Sequence, residues 1–147
     1  MAVIVLDASV AVKWYVHERH CEHALELLDR EDVLFVAPDI FLPEVVNALL
    51  RQQRAAKFDG ELLDRALDDL TLTCPELVGS KNLIAHAAAL SRSIAHPIYD
   101  CLYLALAERW DTVLVTADEE FIDVCRRRLG DGPLLARMRL LEDYRAL

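Results

Sequence analysis

The chain has 147 residues, 54% of them hydrophobic and 28% charged. That is the profile of one soluble globular domain, long enough to bury a core without disulfide or metal staples. Sixteen basic residues against 25 acidic ones leave a formal charge of −9, which speaks against loose binding to nucleic acid and for a metal, a basic partner or plain solubility. The longest apolar runs fall far short of the ~18 residues that cross a bilayer. No basic region precedes an apolar one at the N-terminus, so we expect no signal peptide, no membrane and a cytoplasmic protein. Four cysteines (Cys21, Cys74, Cys101, Cys125) form no Cys-x-x-Cys pair and read as free, buried thiols.

Three of the four residues Val3-Ile4-Val5-Leu6 are β-branched, none is charged, and the run ends at Asp7, as a buried strand does when it delivers a carboxylate to a sheet rim. Ser9 then opens a short helix over 9–16. A second helix spans 20–30, with Ala24, Leu27 and Leu28 at helical spacing, and Val33 to Ala37 is a short strand closed by Pro38. Asp39 or Pro43 opens a helix to about Ala56, striped by Val46, Leu49 and Leu50. Asp59-Gly60 starts another, carrying Leu62, Leu63, Ala66, Leu67 and Leu70. Leu70 to Cys74 alternates apolar and polar residues up to Pro75, which predicts a strand. Ser80 caps a helix to about Ala95, and Pro97 precedes one over Ile98–Trp110. Thr112–Thr116 is a strand, Asp118–Leu129 a helix and Gly130–Pro133 a turn. Leu134–Leu141 fits a last strand, and its pattern fits a helix as well. Short buried strands alternating with helices predict an α/β fold: a mainly parallel central sheet covered on both faces, in one domain over 1–147. Right-handed crossovers then bring the carboxyl ends of the strands to one rim.

Two acids belong to that rim. Asp7 ends the first strand, and Asp118 follows the strand Thr112–Thr116 after one alanine. If those strands are neighbours where the strand order switches, the two face each other. Glu44 and Asp100 each sit in the first turn of a helix with apolar residues on both sides, an unusual place for a lone charge. Asn47, three residues beyond Glu44, shares its helix face. Taken singly, each acid reads as a helix cap or a complement to a helix dipole, worth roughly 0.3–1 kcal/mol. Taken together they do not: two carboxylates ~4 Å apart repel by about 4 kcal/mol at an effective dielectric near 20. Convergence therefore calls for protonation or for hard, oxygen-liking cations such as Mg²⁺ or Mn²⁺.

The segments Asp7-Ala8-Ser9-Val10-Ala11-Val12-Lys13-Trp14, Glu44-Val45-Val46-Asn47-Ala48-Leu49, His96-Pro97-Ile98-Tyr99-Asp100-Cys101-Leu102-Tyr103 and Leu114-Val115-Thr116-Ala117-Asp118-Glu119-Glu120-Phe121, in this order and spacing, resemble the PIN-domain ribonucleases, in particular the VapC toxins of toxin–antitoxin pairs. The resemblance covers nearly the whole chain. It implies a three-layer α/β/α sandwich and a Mg²⁺- or Mn²⁺-dependent endoribonuclease using one or two ions. Asp7, Glu44, Asp100 and Asp118 match the family's acidic quartet without departure. Ser9 and Thr116 match hydroxyl positions lining that site, and Asn47 a position beside the second acid. The resemblance also implies a homodimer, a cognate VapB-type antitoxin that covers the site, and an RNA substrate such as transfer RNA.

Other features read more plainly. His17, His20, Cys21 and His23 cluster without the second half of a zinc-finger spacing, and read as solvated or capping groups. Lys13 reads as a surface lysine within possible reach of a phosphate. Glu119, Glu120 and Asp123, and the basic run Arg126-Arg127-Arg128 with Arg137, Arg139 and Arg145, read as solvated faces, the basic one also able to guide RNA. Trp14, Tyr15, Tyr99 and Tyr103 read as core or interface. The Leu-rich helices 43–56 and 59–70 suit an antitoxin or dimer face, or burial in the monomer. A nucleophilic-aspartate phosphatase would want an acid where Ser9 stands, a receiver module would want a lysine after a late strand, and a Rossmann domain would want G-x-G-x-x-G after the first strand. A catalytically silent PIN-like scaffold should have lost part of the quartet.

Overall fold

The computed structural model of the chain describes residues 1–146. Five strands form one sheet: β1 Ala2–Leu6, β2 Val33–Pro38, β3 Glu76–Val78, β4 Val113–Thr116 and β5 Met138–Leu140. All four pairings are parallel, in the order β3-β2-β1-β4-β5. Seven helices connect them: α1 Ala8–Val12, α2 Cys21–Leu28, α3 Phe41–Arg54, α4 Gly60–Thr73, α5 Ile84–Ile94, α6 Ile98–Arg109 and α7 Glu119–Leu129.

The strand order sets the layers. From β1 the chain steps outward to β2 and β3, then returns past β1 to β4 and β5. Right-handed crossovers place the helices of outward and return steps on opposite faces of the sheet. The packing agrees: α1 meets α3 and α3 meets α4, whereas α5 meets both α6 and α7. The result is an α/β/α sandwich. Helix α6 lies against β1, β2 and β4 and is buried at every position from Cys101 to Ala107. A helix apolar all round suits such a central place.

β1 and β4 are neighbours, with Val5 opposite Leu114 and Leu6 opposite Val115. The helices that follow them, α1 and α7, leave to opposite faces. A crevice therefore opens between the carboxyl ends of these two strands, as it does at the switch points of open parallel sheets.

Several predicted elements differ: the first helix ends at Val12, and Ser80 opens a 3-10 turn over Ser80–Asn82 ahead of α5 instead of capping it. Leu70–Thr73 is the last turn of α4 rather than a strand, because Leu63, Ala66 and Leu70 continue one buried helical row. Leu72 is 86% exposed, and the hydroxyls of Thr71 and Thr73 donate to the carbonyls of Asp68 and Asp69 within the helix. The strand follows Pro75 instead and pairs with β2. The last strand shrinks to Met138–Leu140, flanked by 3-10 turns over Leu135–Arg137 and Leu141–Ala146. All four cysteines are free, Cys101 and Cys125 buried and Cys21 and Cys74 half-buried. None of the described helices is long and apolar enough to cross a membrane.

Candidate active site

The crevice holds a cleft of about 220 Å³ lined by Asp7, Ser9, Glu44, Arg51, Asp100 and Asp118, with Ala8, Val12 and Ala48 as its apolar wall. All four predicted acids thus meet, from four segments far apart in sequence. Larger cavities exist, such as one of about 500 Å³ bordered by Ile94, Val124, Arg127 and Arg128, but the acids do not line it.

Asp7 stands at the N-cap of α1 in extended conformation, yet its side chain makes no capping bond. Its Oδ2 instead accepts the hydroxyls of Ser9 at 2.6 Å and Thr116 at 2.7 Å. Each hydroxyl also accepts a backbone amide, Ala117 N–H onto Ser9 Oγ and Asp118 N–H onto Thr116 Oγ1, both at 3.0 Å. With those lone pairs taken by the amides, the single hydroxyl protons point at Asp7. The β1 and β4 ends are thereby locked into one network, and Asp7 is only 7% exposed.

The other three acids are held in the same manner. Glu44 Oε1 accepts the hydroxyl of Tyr103 at 2.8 Å, Asp100 Oδ2 lies 2.5 Å from His96 Nε2, and Asp118 Oδ1 caps α7 by accepting Phe121 N–H at 3.0 Å. Each carboxylate thus has one oxygen tied to a donor, while its second oxygen has no hydrogen-bond partner among the described residues.

Electrostatics follow from this crowding. Burial, reinforced by the charges of Asp100 and Glu44, pushes the Asp7 carboxyl up to about 7 against the pull of its two hydroxyl donors. Glu44 is raised by burial and by Asp100, against the Tyr103 bond. Asp100 is raised by burial and by Asp118, against His96. Burial first, then the charges of Asp7 and Glu44, holds the Tyr103 phenol far above its ordinary value, so it stays a donor. A pocket of carboxylates pushed toward protonation is one that a cation relieves. The donor set is oxygen only, which fits Mg²⁺ or Mn²⁺ rather than a softer ion. No three of these acids bring ligand oxygens within 4.8 Å of one another; among the described residues only His20, Glu22 and His23 do. That spacing suits an ion that keeps part of its water shell.

Ser9 and Thr116 are in the network. Asn47 is not: it is exposed and lies outside the cleft. On α3 the cleft-facing row is Glu44, Ala48 and Arg51, the i, i+4, i+7 positions, which turn away from i+3 at the margin of the stripe. Lys13 is turned to Glu18 and the Arg19 carbonyl. Three residues escaped the sequence reading. Arg51 is signalled by its i+7 spacing from Glu44, and His96 by its i−4 spacing from Asp100, with its ring stacked on Phe121 at 5.0 Å. Tyr103 carries only the i+3 spacing from Asp100, which says nothing of its bond to Glu44.

Comparison with known proteins bears on this arrangement. Residues 4–127 match the PIN domain family. Ribonuclease VapC3 of Mycobacterium tuberculosis is 39% identical over 83 residues, 56% of this chain and 59% of that protein. The chain thus matches under two thirds of that relative's length. Among solved structures, PAE2754 of Pyrobaculum aerophilum superposes with a TM-score of 0.66 at 18% identity, over 96% of this chain and 85% of that one. VapBC2 of Rickettsia felis, solved bound to a DNA fragment from their promoter, superposes with a TM-score of 0.59 at 18% identity, over 94% and 98%. At such identity these two neighbours speak to the fold, and the family match to descent. With the β1–β4 crevice and its acids in the matched span, the chain belongs to the PIN-domain family.

Proposed function

We propose that the protein is a divalent-metal-dependent endoribonuclease and the toxin of a VapBC-type pair, acting in the cytoplasm. The observation that carries this reading is the set of four carboxylates around one cleft, each with one oxygen anchored and one left over. Similarity to Ribonuclease VapC3 supports RNA as the substrate class.

In this reading Asp7, Glu44, Asp100 and Asp118 would hold one or two Mg²⁺ or Mn²⁺ ions. The ion supplies acidification of a water and charge neutralisation at a phosphodiester. The residues of the chain do the rest. Ser9 and Thr116 aim the Asp7 carboxylate and keep it from turning. Tyr103 and His96 lower Glu44 and Asp100 toward their ionised forms. Arg51, at the rim, is placed to take a non-bridging phosphate oxygen of the RNA, a task its planar fork suits. Its charge also offsets the acidic lining that would otherwise repel the backbone. A VapB-type antitoxin that covers this cleft, and a homodimer, fit the same reading.

The test is cleavage of RNA, transfer RNA included, by purified protein with Mg²⁺, with Mn²⁺ and with a chelator. Cutting should require the metal. Asp100→Asn should lose it by about two orders of magnitude or more, as loss of a charge-stabilising group does elsewhere, with an unchanged circular dichroism spectrum. Undiminished cutting by that variant, or by the wild type in chelator, would refute the assignment.

A further inference from the structure

A second cluster of ligand-type side chains lies away from the carboxylate cleft, where α2 begins. His20 occupies the N-cap of α2 with φ 65°, while Glu22 and His23 lie in its first turn. Ligand atoms of these three side chains all fall within 4.8 Å of one another. Glu142, in the 3-10 turn over Leu141–Ala146, reaches in from the C-terminal end, its Oε1 3.7 Å from His20 Nε2. Glu22 Oε1 is 3.3 Å from His23 Nδ1.

Among the described residues, two buried side-chain nitrogens have no hydrogen-bond partner: His20 Nε2 and His23 Nδ1. They are the same two ring nitrogens that face the carboxylates. Buried nitrogens without partners are costly. A charge-assisted N–H···O bond closes to ~2.7–2.9 Å, and neither pair does so. Two ligands on one tetrahedral ion, with bonds of ~2.0–2.1 Å, stand about 3.3 Å apart. The observed 3.3 Å between His23 Nδ1 and Glu22 Oε1 falls close to that edge length. The rings are also not stacked, lying edge to face at 69°, so their nitrogens can be turned to a common point.

We propose that His20, Glu22 and His23 form a second metal site for a borderline cation of the Zn²⁺ type at the start of α2, with Glu142 beside His20 outside the ligand set. Two imidazoles with a carboxylate select Zn²⁺ over Mg²⁺, the opposite of the all-oxygen cleft. The C-terminal turn also meets α2 at Glu26: Tyr144 donates to Glu26 Oε2 at 3.2 Å, and Arg145 pairs with the same carboxylate. His17 and Cys21, whose Nδ1 and Sγ lie 3.6 Å apart, stand beside the site without entering it. The proposal does not depend on the nuclease reading.

The test uses the full chain stripped by chelator and titrated with ZnCl₂, read by long-range ¹H–¹⁵N correlation of the five histidines. Zn²⁺ should move His20 Nε2 and His23 Nδ1 and leave His86 and His96 in place, and MgCl₂ should move neither. Bound zinc, counted by atomic absorption, should fall by one equivalent in His20→Gln/His23→Gln. It should hold in Cys21→Ser, and Asp7→Asn should retain the histidine response. Zinc shifts confined to His17, or loss of the equivalent in Cys21→Ser, would overturn the proposal. So would unmoved His20 and His23 resonances in the wild type, a result that needs no variant to fold.

Discussion

Replacing Asp7 with Asn should stabilise the metal-free protein at neutral pH while destroying its activity. The carboxyl is buried and stands at about 7 instead of the usual 3.8, so the fold prefers its neutral form. A group raised in the folded state contributes its full stability below the unfolded value and loses it as pH rises through the folded one. Between those limits the native state binds more protons than the unfolded chain. Stability therefore falls with pH, by about 4 kcal/mol in all at ~1.4 kcal/mol per pKa unit. Linkage places about 2–3 kcal/mol of that loss between about pH 5 and about pH 8. Asparagine has the same shape, and its carbonyl oxygen can accept both the Ser9 and Thr116 hydroxyls, but it carries no charge to desolvate. Urea denaturation in chelator, run across that range, should show wild-type stability declining with pH and a flatter Asp7→Asn curve that lies above it at pH 8. Added Mg²⁺ should restore the wild type and leave the variant unmoved. Parallel curves, or a variant less stable than wild type at pH 8 in chelator, would refute the account of Asp7 as a strained anion awaiting a cation.

Two further outcomes follow from the donors around the acids. Tyr103→Phe removes the hydroxyl that lowers Glu44; Glu44 should ionise at higher pH, and the acid limb of the RNA-cleavage profile should move upward, at a stability cost of about 1 kcal/mol. An unmoved limb would separate Glu44 from the rate. Arg51→Gln should raise KM for RNA by roughly tenfold, the worth of one charge-assisted contact, with kcat changed less; a fall in kcat alone would place Arg51 at the chemistry instead of at substrate binding.

Much of this was legible along the chain because burial and periodicity are local signals. The uncharged β-branched run before Asp7 marked β1, and the strand ending at Thr116 marked β4. The apolar flanks of Glu44 and Asp100 singled them out as acids that a solvated helix face does not explain. Where a local signal was short, it misled. Five alternating residues from Leu70 to Cys74 read as a strand, but the Leu63-Ala66-Leu70 row that keeps Leu70–Thr73 helical spans two turns and gains its meaning only from what it packs against. Asn47 failed for a related reason: a shared helix face is ~100° or more wide, and only the packed orientation of α3 decides that Ala48 and Arg51, rather than Asn47, border the cleft.

The sequence by itself determined most of the strands and helices and which acids are chemically out of place, since these depend on side-chain type and spacing within a dozen residues. The tertiary structure alone decided what each acid touches. Tyr103 meets Glu44 across 59 positions, Thr116 meets Asp7 across 109, and Glu142 faces His20 from the far end of the chain. Such pairings depend on strand order and on which face each crossover takes. Both are set by the burial of the whole sheet, and a linear pattern does not record them.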